Sequence, residues 1–170
     1  MAFVLLAAAV VALALSTPSA AVRPPKLQYQ MATLPNGLTI VLEEDHSTPI
    51  VHSQLWYHVG SKNEKPGRTG FAHLFEHLMF KGSKNVEPEA HTSMISSVGG
   101  QSNAYTTDDE TVFWETVPAQ YLPLSLWLEA DRMATLRINN ETFVSEREVV
   151  KEERRLRVDN QPYGRLNEII

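Results

Sequence analysis

Residues 73–77 read His-Leu-Phe-Glu-His. On a helix, His73 and His77 stand one turn apart and share a face. Two imidazoles so placed can ligate one zinc ion. Glu76 projects close by, where a carboxylate can hold a water at the metal. The order H-x-x-E-H reverses the H-E-x-x-H order more often met on zinc-binding helices. A tetrahedral catalytic zinc takes three protein ligands and keeps one position open. A third ligand must therefore come from another segment. The chain has no cysteine, which excludes thiolate ligands, a Cys nucleophile and disulfides.

Residues 146–153, Glu-Arg-Glu-Val-Val-Lys-Glu-Glu, offer carboxylates on a second helical stretch. Glu146 and Glu153 are seven apart and share a face two turns apart. Glu148 and Glu152 point elsewhere, among Arg147, Lys151, Arg154 and Arg155, and read as a solvated, salt-bridged face. Spacing alone does not choose a ligand among these carboxylates.

The elements that must position these groups follow from pattern. Residues 29–34 and 38–43 read as two strands joined through Pro35-Asn36-Gly37, a hairpin signal. Residues 50–59 alternate with period two and read as a core strand. His52 and His58 lie on it as half-buried histidines. Gly70 opens the His73–His77 helix, which is expected to run to about Lys81 and stop at Gly82. Phe71, Leu74, Phe75, Leu78 and Met79 are expected to pack inward. A second helix starts near Glu87-Pro88-Glu89, turns Ala90, Met94, Ile95 and Val98 inward and ends at Gly99-Gly100. His91 is read as a surface residue on it. Residues 101–107 and 111–117 form two antiparallel strands around Asp108-Asp109. A long helix starts near Tyr121 and ends near Leu136, with Leu124, Leu128 and Met133 on its apolar side. A further helix, capped by Asn139-Asn140, spans about 141–158. Arg165 begins another. The order of strands, helices, strands and helices predicts an α+β layered domain.

The 170 residues suffice for one domain with a sizeable core. A net charge of −5 without a basic tract excludes nucleic acid as an expected partner. Residues 1–21 read as a signal peptide: an unbroken apolar run over 2–15, then a small-x-small cleavage site at Ser19-Ala20-Ala21. Export to the periplasm or outside the cell is expected. The alternative is an uncleaved membrane anchor, since no Lys or Arg follows Met1. Residues 22–27, with Pro24-Pro25, read as a linker, and 28–170 as the folded domain.

Three segments together carry a resemblance. They are 70–82 around His73-Leu74-Phe75-Glu76-His77, Gly99-Gly100 leading to Asn103-Ala104-Tyr105-Thr106, and 146–153. In that order they resemble the inverzincin metallopeptidases, the pitrilysin, insulysin and mitochondrial-processing-peptidase group. The resemblance covers about residues 30–170. It implies one zinc per domain, held by His73, His77 and Glu153, with Glu76 as catalytic base. Glu146 would orient a ligand histidine. The strand bearing Asn103 and Ala104 would take up substrate backbone. It implies an antiparallel-rich sheet with helices packed on one face, one half-domain unit of a clamshell peptidase. The expected substrate is a peptide or unfolded protein segment. The family's later half has no counterpart here, so the chain is expected to be an N-terminal peptidase domain truncated at its C-terminus, needing a C-terminal half or partner subunit. A non-catalytic subunit or peptide-binding module that keeps the metal site is the alternative.

Overall fold

The structure, a computed structural model, describes residues 26–166. The expected signal peptide, most of the linker and the end of the helix starting at Arg165 lie outside the described residues. The chain divides into two compact units, with the boundary between His46 and Ser47.

In the first unit, β1 (Tyr29–Thr33) pairs antiparallel with β2 (Thr39–Glu43), from Tyr29 opposite Glu43 to Thr33 opposite Thr39. The loop closes through the Gly37 N–H donating to the Leu34 carbonyl at 2.9 Å. The Asn36 side chain accepts from Leu38 N–H. This is the hairpin that the Asn-Gly pair predicts.

The second unit holds a three-stranded antiparallel sheet of order β3-β5-β4. The strands are β3 (Ile50–Tyr57), β4 (Gln101–Thr106) and β5 (Thr111–Pro118). Alternation sends Ser53, Thr106, Phe113 and Glu115 to the face that carries the helices. There Ser53 Oγ lies 3.0 Å from Ser125 Oγ. The other face leaves Ile50, Trp56 and Tyr105 exposed. β3 is thus half-buried rather than the core strand its composition suggests. The central position belongs to β5, whose Val112, Phe113, Glu115 and Val117 are buried.

Among the described residues four α-helices follow: α1 (Phe71–Leu78), α2 (Ala90–Ser97), α3 (Leu122–Thr135) and α4 (Asn140–Arg154). α1 is shorter than expected. Single-turn bonds carry the chain on from it, Phe80 N–H to His77 O and Lys81 N–H to Leu78 O. Gly82 (φ +97°) then reverses direction where a Cβ would meet the Val86 carbonyl. Ala72, Leu74, Leu78 and Met79 are buried, but Phe71 and Phe75 are half exposed. The apolar positions of α1 circle too much of the helix for one sheet to cover.

His91 also departs from expectation: it is buried, with Nε2 2.7 Å from Glu115 Oε1 of β5. It sits one turn before the fully buried Ile95 and shares that inward face. Its partner lies 24 residues further on in another element. Beside them Glu129 is paired with Arg132, whose guanidinium lies over the Phe113 ring at 4.4 Å. Burial pushes the Glu129 carboxyl above its ordinary range despite that pairing.

Val86, Ile95, Val117 and Leu128 make the core under α2 and α3. Leu128 is 1% exposed, whereas Met133, expected on the same apolar side, is 48% exposed. Leu128→Ala is therefore expected to lower unfolding free energy by roughly 2–5 kcal/mol. Met133→Ala should stay within about 0.5 kcal/mol, as at a surface site. Urea unfolding followed by circular dichroism reads both, and equal losses would mean that this core is wrongly located.

Candidate metal centre

α1 begins at Gly70, whose φ of +91° only glycine adopts without strain. No side chain of Gly70 can cap the helix, and Glu64 does so from the preceding loop. Its carboxylate accepts from Gly70 N–H and Ala72 N–H, each at 2.7 Å. An acid there satisfies two free amides and suits the positive end of the helix. The pinned helix turns His73, Glu76 and His77 toward one cleft, while Leu74 and Leu78 anchor the opposite side.

α4 supplies the facing groups. Asn139 caps it, accepting from Thr142 N–H at 2.9 Å. Its inward stripe is Phe143, Glu146, Val150 and Glu153, at helical spacing. Glu153 Oε2 lies 3.7 Å from His73 Nε2, and Glu153 Oε1 lies 3.7 Å from His77 Nε2. The two Nε2 atoms are 3.2 Å apart. Zinc bonds of about 2.0–2.2 Å in a tetrahedron put donor atoms roughly 3.4 Å apart. Each imidazole faces its own oxygen of Glu153, and one atom from each residue lies within 4.8 Å of the others, so a small inward shift brings them to zinc spacing. Two imidazoles and a carboxylate also suit zinc chemically. Burial and the nearby His77 hold His73 below the ordinary imidazole range, against the pull of Glu76 and Glu153. That favours the neutral ring a metal requires.

Glu146 is buried, with Oε2 3.4 Å from His77 Nδ1. A carboxylate there favours a proton on Nδ1 and leaves Nε2 free for a metal. Glu148 and Glu152 turn away, as expected. Hydrogen bonds from Lys151 and Arg147 hold Glu148 below the usual carboxylate range, and Glu152 pairs with Arg155.

Glu76 is one position from His77 and lines the same cleft. Its Oε2 accepts from the Thr106 hydroxyl of β4. Ala104 and Thr106 share the helix-side face of β4, whereas Asn103 and Tyr105 belong to the opposite face. Asn103 instead bonds through Oδ1 to Ala104 N–H. Among the described residues β4 pairs along one side only, with β5, so its other edge is free. Glu64, Thr106 and Lys81 escape the sequence reading as parts of this site. Lys81 and Thr106 fall within the resembling segments, but nothing local gives any of the three a role, because each acts through a partner that is distant or on another element.

Comparison with known proteins agrees in kind. Residues 39–168 match the family model described as Insulinase (Peptidase family M16). The zinc protease PqqE of Helicobacter pylori is 39% identical over 140 residues, 82% of this chain and 32% of that protein. The crystal structure of a protease from Helicobacter pylori superposes with a TM-score of 0.78 at 38% identity, over 82% of this chain and 33% of that one. Pitrilysin superposes with a TM-score of 0.70 at 27% identity, over 81% of this chain and 15% of that one. The chain spans about a third of the length of its curated relative.

Among the α4 acids Glu153 is the one that faces both imidazoles, 3.7 Å from each. Glu153→Gln is expected to weaken zinc binding by at least about tenfold, with Glu148→Gln and Glu152→Gln near the unaltered value. Titration against a chromophoric zinc chelator measures this. Similar losses for all three would shift the ligand elsewhere on α4.

Proposed function

The chain belongs to the insulinase family of peptidases, family M16, and from that premise we propose that it is the zinc-bearing part of an endopeptidase that hydrolyses extended peptides. The observation that carries this reading is the convergence of His73 and His77 from α1 with Glu153 from α4, beside the Glu76 carboxylate, which accepts from the Thr106 hydroxyl. A zinc ion held by the three ligands supplies Lewis acidity that acidifies water and polarises a peptide carbonyl.

The remaining work falls to side chains. Glu76 takes the proton from the attacking water and delivers it to the departing amine nitrogen. The Thr106 hydroxyl donates to one of its oxygens, Oε2, so the other is the one proposed to carry the proton. Glu146 keeps His77 in the tautomer that ligates through Nε2. The free edge of β4 takes up substrate backbone by strand addition, with Asn103 and Ala104 at the contact. Backbone pairing of this kind gives affinity with little sequence preference. A peptide or unfolded segment is the proposed substrate. Because relatives are about three times as long, a further half or a partner subunit is proposed to close over it.

Export is proposed as well, on the apolar run over residues 2–15 and the small residues Ser19-Ala20-Ala21.

Glu76→Gln is expected to leave zinc content unchanged and to reduce cleavage of an unfolded polypeptide by roughly 10²–10⁴-fold. Cleavage that survives the change would remove Glu76 from its role. For export, the mature protein is expected to begin at Val22. N-terminal sequencing that finds Met1 retained in a membrane fraction would favour the anchor instead.

A further inference from the structure

Lys81 lies just past α1 and is one residue of the resembling motif to which no role falls on sequence grounds. In the structure its ammonium reaches two carboxylates at once. Nζ is 3.0 Å from Glu146 Oε1 and is also paired with Glu89, at the N-terminal end of α2. Glu146 faces His77 with its other oxygen, Oε2. One carboxylate is therefore clamped between an ammonium and an imidazole. Its side chain is only 7% exposed, so water cannot replace a lost partner without rearrangement.

We propose that Lys81 is a positioning residue for the zinc ligand His77, acting through Glu146. The inference rests on the zinc reading above and extends it one layer outward. The physical case has three steps. A buried carboxylate needs a cation to stay in place, and unpaired it swings toward water or is lost as an acceptor. Lys81 holds Oε1, which fixes the rotation of the carboxyl group and aims Oε2 at His77 Nδ1. With Nδ1 engaged, the imidazole plane is set and Nε2 stays directed at Glu153 and His73. Glu89 in turn holds the Lys81 ammonium from the far side. Burial opposes the charge on Lys81, yet its hydrogen bonds with Glu89 and Glu146 outweigh that and keep it above its ordinary range. The lysine is thus a permanent cation in the working range of the protein.

A lysine that merely ties α1 to α2 would stabilise the fold without touching metal affinity in a Glu146-dependent way. A double-mutant cycle separates the two. Zinc dissociation constants are measured by competition with a chromophoric chelator on the full 170-residue chain. The proteins are the unaltered chain, Lys81→Met, Glu146→Gln and the double variant, with Lys81→Arg and His73→Ala as controls. Lys81→Met is expected to weaken zinc binding about tenfold. In the Glu146→Gln background the same change should alter it by less than about twofold. Lys81→Arg should stay within about threefold of the unaltered chain, since it keeps the charge and a donor. An unchanged constant for Lys81→Met, or the same loss in both backgrounds, overturns the proposal while leaving the zinc reading intact. If the unaltered chain binds no zinc more tightly than His73→Ala, both fall together. Circular dichroism reports whether Lys81→Met folds. Should it not, Lys81→Gln is measured against the same expectations.

Discussion

Three ligand groups from two helices, whose donor atoms, one from each, lie within 4.8 Å of one another, set the terms for the rest of this molecule. Such a cluster is awkward unless something binds it. Two imidazole nitrogens facing each other at 3.2 Å repel if both are protonated or both present lone pairs. Much of the second unit can be understood as holding that arrangement in place. α1 is fastened from above by Glu64 at its first amides and from below by Leu74 and Leu78 in the core. α4 is brought against it with a stripe that alternates apolar and acidic side chains. The donors sit on helices rather than loops, so their spacing follows from two rigid bodies and one contact between them.

How much of this could be read beforehand depends on where each partner lies along the chain. His73, Glu76 and His77 are neighbours, so their shared face follows from helical geometry alone. The β1–β2 hairpin is equally local, marked by Asn36-Gly37. Glu146 and Glu153 could be put on one face by spacing. Choosing Glu153 over Glu148 and Glu152 needed family resemblance, because the register of α4 against α1 is a tertiary fact. His91 shows the opposite failure. Its position four before Ile95 placed it inward, but the habit of treating histidine as polar placed it outside. Glu115, which receives it, could be found only once β5 was seen beneath α2. Phe71 and Phe75 failed for a related reason: hydrophobicity says that a residue can be buried, not that a neighbour is there to bury it.

The polar groups that sequence reading missed share one character. Glu64, Thr106 and Lys81 each make a contact that positions a group already identified, namely the start of α1, Glu76 and Glu146. Their residue types are ordinary and their spacing carries no period. Pattern finds groups that act together on one element. Groups that steady another element's side chain leave no period of their own; Glu146 was found through the resemblance, and the partners of Glu64, Thr106 and Lys81 only through the fold.

The two helices are not equal partners in the site. α1 buries Ala72, Leu74 and Leu78, so packing contributes directly to its place. α4 has a single buried residue, and that residue is Glu146, a carboxylate. Its remaining inward positions are half-covered, so hydrophobic burial contributes modestly to its docking. Polar contacts therefore join α4 to α1 and the residues just past it: Glu146 with Lys81 and His77, with Glu153 facing both imidazoles. A cation shared by His73, His77 and Glu153, as proposed, would bridge the same two helices at the same place. Because binding to a folded arrangement and forming that arrangement are linked, such a cation would contribute to holding α4 in register. The polar stripe of α4 makes sense on this view. An all-apolar stripe would dock the helix more strongly, yet it would have no donor to offer at position 153 and nothing to steer His77 at position 146.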